Sequence, residues 1–256
     1  MTAQPNTIPL AITDRIEDAI LSGRAHLLFQ PVFDVGPMRR VAFHEGLLRL
    51  EDADGVVIEP VAFLPVAERA DLMPELDALA LDLAVAALER TEAFRLSVNL
   101  SPRSLRNPLI RLRLARLTPR IADRLILEIT EVAPLSRQDF DCIAEYRRAG
   151  CTVLLDDFGA GASSVRYLLD GGVDGVKIDR HLITGIAGDR ARQEVFLALR
   201  CLAEGLDLWL IPEGVEYPAD AAWLERHGAT TVQGYLFGKP GPLPTPAAPP
   251  IAERVV

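Results

Sequence analysis

Six short β-rich runs alternate with helical segments along this chain, and two longer strand-like runs precede them with only five residues between. Together these eight runs predict an α/β fold. Eight is the number of strands that closes a barrel, and about 250 residues is the usual length of one; this chain has 256. The predicted fold class is therefore a modified TIM (β/α)8 barrel with the first strand antiparallel.

In chain order, residues 1–11 read as a tail, and Ile12, Ile16, Ala19 and Ile20 recur at helical spacing until Gly23 ends the run. Residues 26–34 and 40–50 are the two longer runs. A parallel crossover needs a dozen or more residues, so the short link Val35 to Arg39 makes them an antiparallel hairpin. Residues 60–71 and 74–90 read as helices, each with proline in its first turn. The six β-rich runs follow at 95–100, 124–130, 151–156, 173–178, 207–212 and 230–235. Prolines 240, 242, 244, 249 and 250 stop any regular structure there. The domain reading is an N-terminal tail and helix at 1–25, a barrel domain at 26–240 and a Pro-rich, disordered tail at 241–256.

Nearly half of the residues are apolar, enough for a sizeable core. A formal charge of −9 argues against broad nucleic-acid binding, so no DNA or RNA partner is expected. A small anionic ligand remains compatible if metal ions supply local positive charge. Cys142, Cys151 and Cys201 have no pairing or ligand spacing, which suits a reducing compartment. The amino terminus has no basic-then-apolar leader, and the most apolar helical run, 76–88, is too short to span a bilayer and carries Asp77 and Asp82. No membrane segment and a cytoplasmic location are the expectation.

Polar residues collect at the strand ends. Residues 125–127 lead to Glu128 and Glu131, 96–98 to Asn99, 154–155 to Asp156 and Asp157, and 209–211 to Glu213 and Glu216; Lys177 and Asp179 close the run at 173–178, and Val232 precedes Gln233. In a parallel barrel these ends meet at one mouth. Two adjacent carboxylates ending an apolar strand repel and resist desolvation, so Asp156 and Asp157 call for a cation, unless one of them caps the next helix. An oxygen-only set of acids with an amide favours Mg²⁺ or Mn²⁺ over zinc, and a carboxylate shared between two ions would form the clamp used at phosphate.

Eight ordered segments carry a resemblance: Phe29-Gln30-Pro31, Glu45-Gly46-Leu47-Leu48-Arg49, Ser97 to Ser101, Leu127 to Glu131, Asp156-Asp157-Phe158-Gly159, Lys177 to Arg180, Glu213 to Glu216 and Val232 to Tyr235. Their content and order are similar to those of EAL domains, over about residues 26–240. The resemblance implies metal-dependent hydrolysis of one phosphodiester bond of cyclic di-GMP to linear pGpG by metal-activated water. A non-catalytic cyclic di-GMP receptor or protein-interaction module is the alternative.

Position by position, it implies Glu45, Asn99, Glu128 and Asp156 as ligands of one ion, and Asp156, Asp157 and Glu213 as ligands of a second. Lys177 matches the lysine near the attacked phosphate, so Lys177, Glu213 and Asp156 are the catalytic candidates. Arg49 matches a phosphate contact, while Gln30, Asp179, Glu216 and Gln233 match positions lining or supporting the dinucleotide pocket. Glu131 matches the glutamate holding the loop after Asp157. A homodimer is implied as well. Gly46 stands where the family motif has alanine, and Gly159 to Ser164 lacks the usual Thr and Tyr of a loop associated with dimerisation.

Two further features have blander readings. His44 adjoins Glu45, but neighbouring strand residues face opposite sides, so it reads as outward or packed. The arginines at 103, 106, 111, 113, 116 and 120 could meet phosphates, though leucines at 109, 112 and 117 favour a solvated helix face.

Overall fold

The computed structural model describes residues 10–36, 39–92, 94–130, 134–159, 167–168 and 172–243. Helix α1 (Leu10–Leu21) precedes the hairpin of β1 (Ala25–Asp34) and β2 (Arg40–Glu51). Then come β3 (Val57–Ile58), α2 (Pro60–Ala70), α3 (Met73–Arg90), β4 (Leu96–Leu100), α4 (Pro108–Ala115), α5 (Pro119–Ala122) and β5 (Leu125–Thr130). The chain continues through α6 (Arg137–Arg148), β6 (Thr152–Phe158), β7 (Gly175–Ile178), α7 (Arg180–Ile183), α8 (Arg190–Gly205), β8 (Trp209–Pro212), α9 (Pro218–Arg226) and β9 (Thr231–Gln233).

The strands lie in the order β8-β7-β6-β5-β4-β2-β1-β9, a nearly closed barrel in which β8 and β9 face each other without pairing. From β2 to β8 every pairing along the path is parallel, whereas β1 is antiparallel to both β2 and β9. The reversed first strand expected from the short hairpin link is thus present. The two-residue β3, paired with the end of β2, had no periodicity to reveal it.

Local chemistry fixes the helix starts. Proline occupies the first turn of α2, α3, α4, α5 and α9, where no helical N–H partner is lost. Ser136 and Asp139 form a reciprocal capping box on α6, and Asp189 caps α8 through two backbone N–H groups. Among the described residues, the basic stretch is largely occupied by partners: Arg103 with Asp71, Arg106 with Asp139, Arg111 with Glu145, Arg113 with Asp82 and Arg120 with Glu92.

The main core lies between the strands and the surrounding helices. A separate plug of Val32, Phe43, Ile126, Leu154 and Ile211 fills the barrel interior. After β9 the chain returns to β1, where Phe29 and Gly241 exchange two backbone hydrogen bonds of 2.7 and 3.1 Å. No helix among the described residues is long and apolar enough to cross a membrane.

Candidate functional site

The side-chain period of two along a strand builds the site from the plug. Two residues beyond Phe43 stands Glu45; beyond Ile126, Glu128; beyond Leu154, Asp156; beyond Ile211, Glu213. On the reversed strand β1 the order inverts, so Gln30 lies two residues before Val32 and sits opposite Glu45. Asn99 lies beside Glu128 in the parallel register of β4 and β5.

Alternation alone would send Asp157 away from Asp156. The β6–β7 register shifts between Leu155 and Phe158, and Asp157 adopts a left-handed φ of 54°. This bulge re-aims the second carboxylate, so that oxygens of Asp156, Asp157 and Glu213 all lie within 4.8 Å of one another. A non-glycine residue at positive φ is uncommon, and here it accompanies that convergence.

Lys177 is buried at the centre. Its Nζ lies 2.5 Å from Glu213, 2.7 Å from Glu128, and 3.3 Å from both Glu45 and Asp156. Glu45 also accepts hydrogen bonds from Asn99 Nδ2 (2.8 Å) and Gln233 Nε2 (2.6 Å). Five carboxylates against one lysine leave a formal excess of four negative charges.

The electrostatics follow from burial. Glu128 is fully buried and is pushed up to about 8, against the pull of Lys177 and helped by Glu45 and Asp156. Burial likewise raises Asp156 and holds Glu213 well above the ordinary carboxylate range. Asp157 rises to about 6 through burial and the neighbouring Asp156 and Asp179. For Glu45 burial also acts upward, but Lys177, Gln233 and Asn99 outweigh it and leave it lowered. Lys177 is raised well above its usual value because the surrounding carboxylates outweigh its burial.

The residues present suit a hard cation. Asn99 Oδ1, Glu128 Oε1 and Gln233 Oε1 are buried without a hydrogen-bond partner, and Asp156 Oδ1 meets the Lys177 ammonium at 3.3 Å. Unpartnered buried acceptors are costly, and oxygen donors of this kind match Mg²⁺-like ions. Beside the acids, a cavity of about 320 Å³ is walled by Phe63 and Leu76 of α2 and α3 together with Gly46, Arg49, Asn99 and Asp156.

Not every expected position joins the network. Arg49 lines the cavity, donates to Leu48 O (3.0 Å) and lies 3.5 Å from Glu59. Gln30 turns its amide to Gly238 O (3.2 Å). Asp179 caps α7 through His181 N–H (2.7 Å) and touches the cluster through its neighbour Asp157, and among the described residues Glu216 makes no hydrogen bond to the cluster. Glu131 and Ala160 to Ser164 lie outside the described residues. His44 packs edge-on against Phe94.

One residue escaped sequence reasoning. Asp77, buried in α3 and lining the same cavity, accepts from Ser101 N–H (2.8 Å) and Ser104 Oγ (2.5 Å), and burial raises it to about 7. Ser101 lies two residues beyond Asn99. The signal was present: Asp77 shares a helical stripe with buried Ala80, Leu81, Ala84 and Leu88, where a solvated charge is out of place.

Comparison with known proteins agrees with this geometry. The chain is 30% identical over 237 residues to the probable cyclic di-GMP phosphodiesterase PdeN of Escherichia coli K12, covering 89% of this chain and 46% of that protein. It is 34% identical over 223 residues to the bifunctional diguanylate cyclase/cyclic di-GMP phosphodiesterase MucR of Pseudomonas aeruginosa, covering 81% and 31%. The chain thus spans less than half the length of these curated relatives. The solved structure of the MucR phosphodiesterase in complex with c-di-GMP superposes with a TM-score of 0.79 at 30% identity, covering 91% of this chain and 98% of that one. Residues 13–240 match the EAL domain family model, and the chain belongs to that family.

Proposed function

We propose that this chain hydrolyses one phosphodiester bond of cyclic di-GMP, opening the ring to linear pGpG. The observation that carries the reading is the set of five carboxylates at the barrel mouth, four of them around Lys177 and the fifth, the more exposed Asp157, converging with Asp156 and Glu213. Its excess of four negative charges equals what two divalent ions neutralise. The solved MucR complex and the curated relatives named for this activity supply the substrate.

Glu45, Asn99, Glu128 and Asp156 would hold one ion, and Asp156, Asp157 and Glu213 the other, with Asp156 shared. When bound, Mg²⁺ or Mn²⁺ there supplies Lewis acidity that lowers the pKa of water and draws charge from phosphoryl oxygens. Lys177 keeps its proton and offers fixed positive charge beside the phosphate. Gln233 and Asn99 orient Glu45 through their amide N–H groups. Arg49 offers a guanidinium on the cavity wall, and Gln30, Asp179 and Glu216 would line or support the dinucleotide pocket, as the family resemblance implies. The family resemblance implies for Glu131 the role of holding the loop that follows Asp157.

Incubation with cyclic di-GMP and Mg²⁺ or Mn²⁺ tests the proposal: pGpG should form, and Asp156→Asn should abolish it. Binding without product would leave the receptor reading instead. The barrel boundaries at 26–240, the homodimer and the cytoplasmic location belong to the same proposal and are supported by the family resemblance and the unpaired cysteines.

A further inference from the structure

The barrel has a second recess at its other end. Its walls come from the amino ends of β2, β8 and β9, the residue preceding β4 and the carboxyl end of β1, whereas the acids sit at the opposite strand ends. The plug of Val32, Phe43, Ile126, Leu154 and Ile211 lies between the two. The recess measures about 510 Å³ and spans the gap where β8 and β9 do not pair. That volume is typical of small-molecule sites, which run to roughly 300–1,000 Å³.

Its chemistry is specific. Arg95 is about half buried, and burial lowers its pKa; Asp123 and Asp174 oppose this only from beyond ion-pair distance. Its guanidinium donates to Thr152 Oγ1 (2.8 Å) and lies 5.2 Å from the centre of the Trp209 ring. A guanidinium carries five N–H donors in a planar fork, so donors remain to receive an anion. Trp209 packs on buried Phe43 with planes 24° apart, yet 43% of its surface is exposed. Gly175 holds it there, since a Cβ at that position would come within 2.6 Å of the Trp209 Cβ and 2.7 Å of its carbonyl oxygen. Arg40 sits on the rim, 3.7 Å from Asp34, which also lines the recess, while Arg95 has no carboxylate at ion-pair distance among the described residues.

We propose that this recess binds a small anion bearing a planar ring, of the size of a purine nucleoside monophosphate, with the ring on Trp209 and the anion between Arg95 and Arg40. Stacking on an exposed indole and charge-assisted hydrogen bonds to a guanidinium are the two interactions such a ligand uses. The inference is independent of turnover at the acidic mouth.

The test is titration of the full chain with adenosine monophosphate by calorimetry and tryptophan fluorescence; the chain has two tryptophans, and Trp223 is buried. Binding at or below ~1 mM with quenching is expected. Arg95→Gln should weaken it about tenfold or more, and Arg40→Gln, at an exposed side chain that folding does not require, should weaken it less. Trp209→Leu should remove the quenching, and Asp156→Asn should leave binding unchanged. Adenosine alone and inorganic phosphate alone should each bind about tenfold more weakly or worse. No binding of adenosine monophosphate overturns the proposal. So does binding that survives both arginine variants but disappears in Asp156→Asn, which would place the ligand at the mouth. Phosphate binding as tightly as the nucleotide removes the ring from the specification and overturns it too.

Discussion

Replacing Lys177 by methionine removes the positive charge that four buried carboxylates share at 2.5–3.3 Å. Breaking a buried ion pair by deleting one partner costs about 3–5 kcal/mol, because the other charge stays buried. Here the loss is capped. Glu128 and Glu213 are already raised by burial and can take up protons, which removes the charge that would otherwise be stranded. The lower end, about 3 kcal/mol, is therefore expected near pH 7.5 in the presence of a chelator. For a chain of this length that is a fall in Tm on the order of 6–12 °C. At pH 5 the difference should shrink as the carboxylates protonate, and saturating Mn²⁺ should restore much of the loss by supplying the missing charge. Thermal melts followed by circular dichroism, with chelator or Mn²⁺ at both pH values, measure all four cases. A variant that melts with the wild type at pH 7.5 in chelator would refute the central electrostatic role of Lys177.

Three further outcomes follow from the same geometry. Glu128 has a folded value of about 8 against an ordinary 4.5, so its contribution to stability is full below about pH 4.5 and disappears as pH rises through 8. Metal-free stability from denaturant titration should fall over that window, and Glu128→Gln should flatten the fall; an unchanged slope in the variant removes the assignment. Asp77→Ala should cost about 1–3 kcal/mol by stranding Ser101 N–H and Ser104 Oγ, with Asp77→Asn losing less; equal stability of Asp77→Ala and wild type in urea argues against it. Gly234→Ala should cost on the order of 3 kcal/mol and weaken Mn²⁺ binding, since its Cβ would lie 2.1 Å from Val215 O and push apart Gln233 and the Glu213 to Glu216 turn. Unaltered melting of that variant would show that the turn yields without cost.

The parts of the fold governed by periodicity and link length were legible. The five-residue link Val35 to Arg39 forces the antiparallel hairpin, and βα alternation places the remaining strands within a few residues of their observed bounds. The acids were legible for a related reason, because they collect where apolar β-rich runs end. What could not be read was local backbone geometry. Nothing in Asp156-Asp157 announces a bulge with Asp157 at positive φ, so the sequence expectation ended that strand at 156, whereas β6 runs to Phe158. Asp77 was passed over as a charge interrupting an apolar helix, because its partners Ser101 and Ser104 lie more than twenty residues away in the chain. The recess around Arg95 and Trp209 likewise exists only once β8 meets β9 across the open seam.

The most direct test of the account is product analysis of purified protein incubated with cyclic di-GMP, with and without Mg²⁺ or Mn²⁺. Linear pGpG that forms only with the divalent ion, and is absent in Asp156→Asn, is the predicted result. Bound cyclic di-GMP that remains cyclic in the presence of either ion would contradict it.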